Sequence, residues 1–320
     1  CLYCSFTSYS IDKWHDRVEE YLSALFCEME FVAAKLKNRR LDTIYFGGGT
    51  PTTLSADQLD RLLGHMEKCF DMSDIVELTV EAGRPDSLTI DKLKVLKAHN
   101  VGRISINPQT MNQATLDIIG RKHTVEQVKE AFAMAHECGL DNINVDLMSA
   151  IPGQTEKSLN NTFDMVTALQ PEHISVYSLI LEDGTYLADN IDKFPPIPDE
   201  DEDRRMYHIT KERLYSAGYE RYEISNYSRP GYECRHNLLY WNRGEYYGYG
   251  CSAAGLIGNV RYSDIRDVNK YIELNGDIGK LHENIEILTK EDAMEEFMFL
   301  GLRKMAGIDM NDFQNRFGMP

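Results

Sequence analysis

No uninterrupted apolar run in this 320-residue chain approaches the roughly 20 residues needed to cross a bilayer. The chain opens on Cys1-Leu2-Tyr3-Cys4 rather than on a basic and then apolar leader. No membrane span is expected, and the protein reads as cytoplasmic. Basic residues are outnumbered, 34 Lys and Arg against 51 Asp and Glu, for a net charge of −17. That balance argues against a nucleic-acid surface, whose affinity comes from clustered cations. Seven cysteines at irregular spacing are too few for a secreted disulfide framework, which leaves metal binding or plain burial. Cys27, Cys69 and Cys138 fall in helical patterns and read as small buried hydrophobes. Ten scattered prolines, with 42% hydrophobic and 27% charged residues, exclude large-scale disorder. No internal repeat or low-complexity tract is visible.

What is present is alternation. Short β-rich runs at Thr43–Gly47, Val76–Glu81, Gly102–Asn107, Asn142–Met148 and His173–Leu179 are separated by longer amphipathic stretches. Those stretches lie at Lys13–Leu36, Ala56–Phe70, Ile90–His99, Gln113–Ile119, Val125–Cys138 and Glu156–Leu169. Ser55, Thr89 and Thr124 stand as N-caps and Gly139 as a helix-ending glycine. The pattern predicts parallel strands joined by crossover helices, as an open sheet or a barrel. A break follows at Phe194–Pro198, then an acidic run from Asp199 that suits a helix N-terminus. Beyond Gly218 the texture is aromatic and glycine-rich up to Tyr262, before helical patterns near Val268–Leu274 and Lys290–Lys304.

Three features carry chemistry. Cys1 and Cys4 form a C-x-x-C, which alone fits half a zinc site, a thioredoxin-like pair or part of an iron–sulfur motif. Gly47-Gly48-Gly49-Thr50 follows a strand, and its missing Cβ atoms let backbone groups approach a ligand. Glu81, Gln109 and Asp146 sit at the C-terminal ends of successive strands, with Arg121 shortly after, the edge at which barrel enzymes build their sites.

Taken together, these runs resemble the radical S-adenosylmethionine (SAM) enzymes of the oxygen-independent coproporphyrinogen III oxidase/dehydrogenase family, the HemN/HemW superfamily. The resemblance rests on Cys1-Leu2-Tyr3-Cys4-Ser5-Phe6, Tyr45 to Pro51, Val80-Glu81-Ala82, Asn107-Pro108-Gln109, Gly120-Arg121-Lys122-His123 and Val145 to Met148, and it spans Cys1 to Phe317. The wording at Glu81 to Ser87 and Asn107 to Asn112 is most similar to the HemZ type. Ala150 stands where the family usually has Gly.

The resemblance implies a partial (β/α)6 TIM-like α/β barrel with a mixed α/β C-terminal accessory region. Its first strand is expected just ahead of Cys1, as is a third cluster cysteine four residues upstream, which makes the chain read as a fragment. The implied cofactors are SAM and a [4Fe–4S] cluster held by Cys1 and Cys4. Tyr3, Gly48, Gly49, Thr50, Glu81, Gln109, Arg121, Asp146, Ile180 and Ala254 are implied SAM contacts. In that assignment Arg121 meets the SAM carboxylate, Glu81 the amino-acid or ribose end and Asp146 the ribose hydroxyls. Domains are expected at 1–193, 194–288 and 289–320.

The leading expectation is oxidative decarboxylation of coproporphyrinogen III, fed by an electron donor such as flavodoxin or ferredoxin. Arg235-His236-Asn237 through Tyr240-Trp241 resembles the motif of radical SAM haem chaperones and offers an alternative, a haem carrier with His236 as ligand. Phe6, where the dehydrogenases often carry a further Cys, supports the alternative.

Overall fold

The inner strands read from the sequence alternate apolar and polar residues, most of them buried. In the strand Arg103–Gln109 every position is buried, yet Ile104 and Ile106 interleave with Arg103, Ser105 and Asn107. Because successive side chains point to opposite faces, one face of the sheet is apolar and the other polar. The structure is a computed structural model that describes residues 1–6, 17–36 and 40–318. The expected helix start at Lys13 to Asp16 lies outside the described residues.

The strands are β1 (Thr43–Phe46), β2 (Glu77–Ala82), β3 (Arg103–Gln109), β4 (Ile143–Ser149) and β5 (His173–Ser178), followed by β6 (Glu220–Arg221) and β7 (Asn226–Ser228). They form one seven-stranded sheet in the order β1-β2-β3-β4-β5-β7-β6. Pairs β2–β3, β3–β4 and β4–β5 are parallel, as crossover helices require. The pairs β5–β7 and β7–β6 are antiparallel. β3 runs past its expected end at Asn107, through Pro108 to Gln109. The register shifts between Ile106 and Gln109, which places the proline, with no N–H to donate, where the ladder is interrupted.

Helices Ile90–Ala98, Val125–Glu137 and Glu156–Ala168 present Leu93 and Leu96, then Val128, Ala131, Phe132 and Ala135, then Leu159, Phe163 and Val166 as buried faces. Three- and four-residue spacing puts each set on one stripe, and each fully buried Leu, Val or Phe contributes about 1.5–3 kcal/mol. Thr89 caps its helix through Lys92 N, while Thr124 and Thr155 make capping boxes with Gln127 and Ser158. Ser55 Oγ accepts from Gln58 N at 3.2 Å, as expected of an N-cap.

The chain divides into two units. The first comprises residues 1–6, 45–59 and 78–233, and so holds most of the sheet. Its Phe194–Pro198 stretch is tied in where Gly153 N donates to Pro196 O at 2.8 Å. The second comprises the described residues of 7–44, 60–77 and 234–320. There a three-stranded antiparallel sheet, β8 (Ala254–Ile257), β9 (Val260–Asp264) and β10 (His282–Ile287), runs in the order β10-β9-β8. Ala24, Ile265, Tyr271 and Leu281 form a core cluster within this unit. No helix among the described residues is long and apolar enough to cross a membrane.

Candidate functional site

The Cys1–Cys4 turn is anchored through its middle. Leu2 N donates to Ile119 O at 3.1 Å, and Leu2 O accepts from Leu187 N at 2.9 Å. The Leu2 side chain lies over Gly120, where φ is +70° and an added Cβ would come within 2.7 Å of Leu2 Cγ. Tyr3 packs on the cluster of Ile119, Met148 and Ile151, and burial raises its phenol pKa. Both thiols are exposed and free.

Arg121 connects this turn to the sheet. Its Nη1 lies 3.5 Å from Cys1 Sγ, and Nη2 donates to Gly83 O at 3.1 Å and to Asn107 O. The guanidinium is buried, and its Nε has no partner among the described residues. Gly48, with φ +102° and open space where a Cβ would stand, takes a backbone conformation that disfavours other residues, and its N–H reaches Glu81. Glu81 Oε1 also accepts from Asn107 Nδ2 at 2.8 Å. Burial first, and then the nearby Asp146, push Glu81 up to about 8. Asp146 is likewise raised by burial, against hydrogen bonds from Asn144 and Ser175. Gln109 ends β3 with φ +71°, and strained non-glycine backbone of this kind gathers at functional sites.

The first unit therefore brings Cys1, Tyr3, Gly48, Glu81, Arg121 and Asp146 into one neighbourhood, with Gly49 and Thr50 on the same loop, where Thr50 Oγ1 donates to Gly49 O at 2.7 Å. Cys4 closes the turn. Ile180, after β5, is 75% exposed. Ala254 and His236 belong to the second unit. The positive cradle of Arg121, the free thiols and the desolvated carboxyls suit a ligand that carries a carboxylate, an ammonium and sugar hydroxyls on one skeleton.

In the second unit His236 lies on helix Arg235–Trp241, a helix that the sequence reading did not assign. Glu77 caps its N-terminus, accepting from Arg235 N at 2.8 Å and His236 N at 3.2 Å. Such a carboxylate satisfies first-turn amides and complements the dipole. His236 Nδ1 is 2.9 Å from Thr43 Oγ1, and Nε2 is 2.9 Å from Tyr240 OH. Tyr240 in turn meets Tyr246 edge to face at 4.6 Å, so the imidazole stands at the end of an aromatic row.

Residues missed from sequence are Asn107 and Asn144, which hold the site carboxylates, and His173, which holds Asn144. Their signal was there: polar residues at every second position of otherwise apolar strands.

Residues 1–166 match the Radical SAM superfamily and residues 288–320 the HemN C-terminal domain. Heme chaperone HemW of Bacillus subtilis (strain 168) is 40% identical over 320 residues, covering 99% of this chain and 84% of the relative. Heme chaperone HemW of Lactococcus lactis subsp. lactis (strain IL1403) is 37% identical, covering 99% and 82%. The oxygen-independent coproporphyrinogen-III oxidase-like protein HemZ of Bacillus subtilis is 36% identical over 79% of this chain and 54% of its own length. Among solved structures, coproporphyrinogen III oxidase (HemN) from Escherichia coli superposes with a TM-score of 0.86 at 22% identity, covering 100% of this chain and 76% of that one. At that identity it shows the fold.

Proposed function

Because the chain belongs to the radical SAM superfamily, in its HemN/HemW branch, we propose that it is a haem-binding carrier retaining a radical SAM site. This reverses the order of the two readings drawn from sequence. The observation that carries it is identity of 40% to a heme chaperone across nearly the whole chain, joined to a histidine presented beside an aromatic row.

The family's cofactors are a [4Fe–4S] cluster and SAM. Bound there, the reduced cluster would supply the one electron that splits the SAM sulfonium into methionine and a 5′-deoxyadenosyl radical. Cys1 and Cys4 are the proposed cluster thiolates. Arg121, whose buried Nε has no partner among the described residues, is the proposed clamp for the SAM carboxylate, and the Gly48 loop with Glu81 receives the amino end. Asp146 is left for the ribose hydroxyls. A reducing protein partner delivers the electron.

For haem, His236 Nε2 is the proposed iron ligand. Its other nitrogen is already oriented by Thr43, the arrangement by which a ligating histidine is held in place. In that role His236 would give up its Nε2 contact with Tyr240 OH, and the Tyr240 and Tyr246 rings would offer a wall for the macrocycle. The competing reading, decarboxylation of coproporphyrinogen III, draws on the similarity to HemZ.

Haem titration of the anaerobically reconstituted protein separates the two. A shifted Soret band that disappears in His236→Ala is expected, with no protoporphyrinogen IX formed from coproporphyrinogen III under SAM and reductant. Catalytic formation of protoporphyrinogen IX, or a Soret shift indifferent to His236, would overturn the proposal.

A further inference from the structure

A row of polar side chains crosses the sheet of the first unit from β2 to β5. The register aligns Glu81 with Ser105, Ser105 with Asn144 and Asn144 with His173. Four neighbouring strands thus place one polar residue each in a single line, and Tyr222 stands at its far end.

The hydrogen bonds along this row have one direction. Asn144 Nδ2 lies 2.8 Å from Asp146 Oδ1 and 2.5 Å from Ser105 Oγ. A flipped amide would set its oxygen against the Asp146 carboxylate, acceptor against acceptor. Asn144 Oδ1 therefore faces His173 Nδ1 at 2.6 Å, and that nitrogen must carry the proton. His173 is fully buried, and burial first, then Arg103, holds its pKa well below the ordinary value. The ring is neutral, so Nε2 accepts from Tyr222 OH at 2.8 Å. Onward, Ser105 Oγ donates to Asn107 Oδ1 at 2.7 Å, and Asn107 Nδ2 donates to Glu81 Oε1 at 2.8 Å. Every donor from Tyr222 points toward Asp146 and Glu81. Two amides interrupt the row, and amide groups do not pass protons along as water and hydroxyls do, so it fixes orientation rather than conducting protons.

We propose that His173 and Tyr222 are positioning residues for the SAM site: through Asn144 they lock the rotamers of Asp146 and Glu81 so that each keeps its remaining lone pairs turned to the ligand. This rests on the reading of Asp146 and Glu81 as SAM-facing groups. Each donor polarises the next, and the buried polar face of the sheet is hydrogen-bonded at low cost.

The test uses full-length, cluster-loaded protein with SAM as the probe, comparing wild type, Tyr222→Phe, His173→Ala and Asp146→Asn. SAM affinity should fall about threefold to tenfold in Tyr222→Phe, which removes one hydroxyl and keeps the ring, and further in His173→Ala. Nitrogen-15 chemical shifts should show the Nδ1–H tautomer of His173 in wild type and a mixture in Tyr222→Phe. Because His173→Ala removes a buried ring and can fail to fold, Tyr222→Phe decides. Unchanged SAM affinity in Tyr222→Phe, beside a clear loss in Asp146→Asn, would overturn the positioning role and leave the site reading standing. Unchanged affinity in Asp146→Asn as well would sink both.

Discussion

Two buried polar clusters, one in each unit, solve the same problem in opposite ways. In the first unit, Asn144 uses both amide hydrogens and its oxygen, and its partners pass the satisfaction onward to Glu81. In the second unit, Glu28 and Asp264 are both fully buried, and Glu28 Oε1 and Asp264 Oδ2 accept from no donor among the described residues. Glu28 Oε2 takes hydrogen bonds from Tyr271 OH and, at 3.0 Å, from Gly250 N, while Asp264 Oδ1 faces His282 Nδ1 at 2.7 Å. Burial first, and then Asp264, raise the Glu28 pKa, so Glu28 holds its proton more readily than a free carboxyl does. Neutral amides distribute polarity through a sheet without charge, whereas two carboxyls brought together must keep a proton to stay buried.

The contrast can be broken from either side. Asn144→Ala has the largest expected effect: it strands Ser105, His173 and Asp146 together and should cost on the order of 3 to 5 kcal/mol, read from urea midpoints. Tyr271→Phe should cost about 1–3 kcal/mol, since a buried carboxyl loses its hydroxyl donor. Glu28→Gln sharpens the comparison through pH. A carboxyl whose folded pKa exceeds its unfolded value near 4.5 binds more protons when folded. Its stabilisation is complete below that value and declines as pH rises through the folded pKa. Wild type should therefore lose stability from acidic toward mildly alkaline pH, and Glu28→Gln should flatten that decline in unfolding midpoints; an equally steep profile in the variant would refute the raised Glu28 pKa. Ser175→Ala, which removes a hydroxyl that lies 3.2 Å from an already occupied Asn144 Oδ1 and is the weaker of two hydrogen bonds to Asp146, should cost about 1 kcal/mol.

Much of the first unit was legible beforehand because its signals are local. Strand and helix limits differ from expectation by a residue or two. The largest strand difference, at Pro108, comes from reading proline as an end when a shift in pairing absorbs it. The motif at His236 was read, but its helix was not, since the carboxylate capping it comes from Glu77, far away in sequence. Glu28 lies in an amphipathic pattern where a glutamate ordinarily marks the solvent face, and its burial depends on Tyr271, Asp264 and Gly250, more than two hundred residues on.

By itself the sequence determined the alternation of strands and helices, the glycine-lined turn, the cysteine pair and the family to which they belong, because periodicity, capping and motif spacing act over a few residues. Only tertiary structure decided that Glu81, Ser105, Asn144 and His173 share one line and that Glu28 meets Asp264. Strand register and the choice of buried face arise from pairing between distant segments, and a shift of one residue would have turned each of the strand side chains the other way.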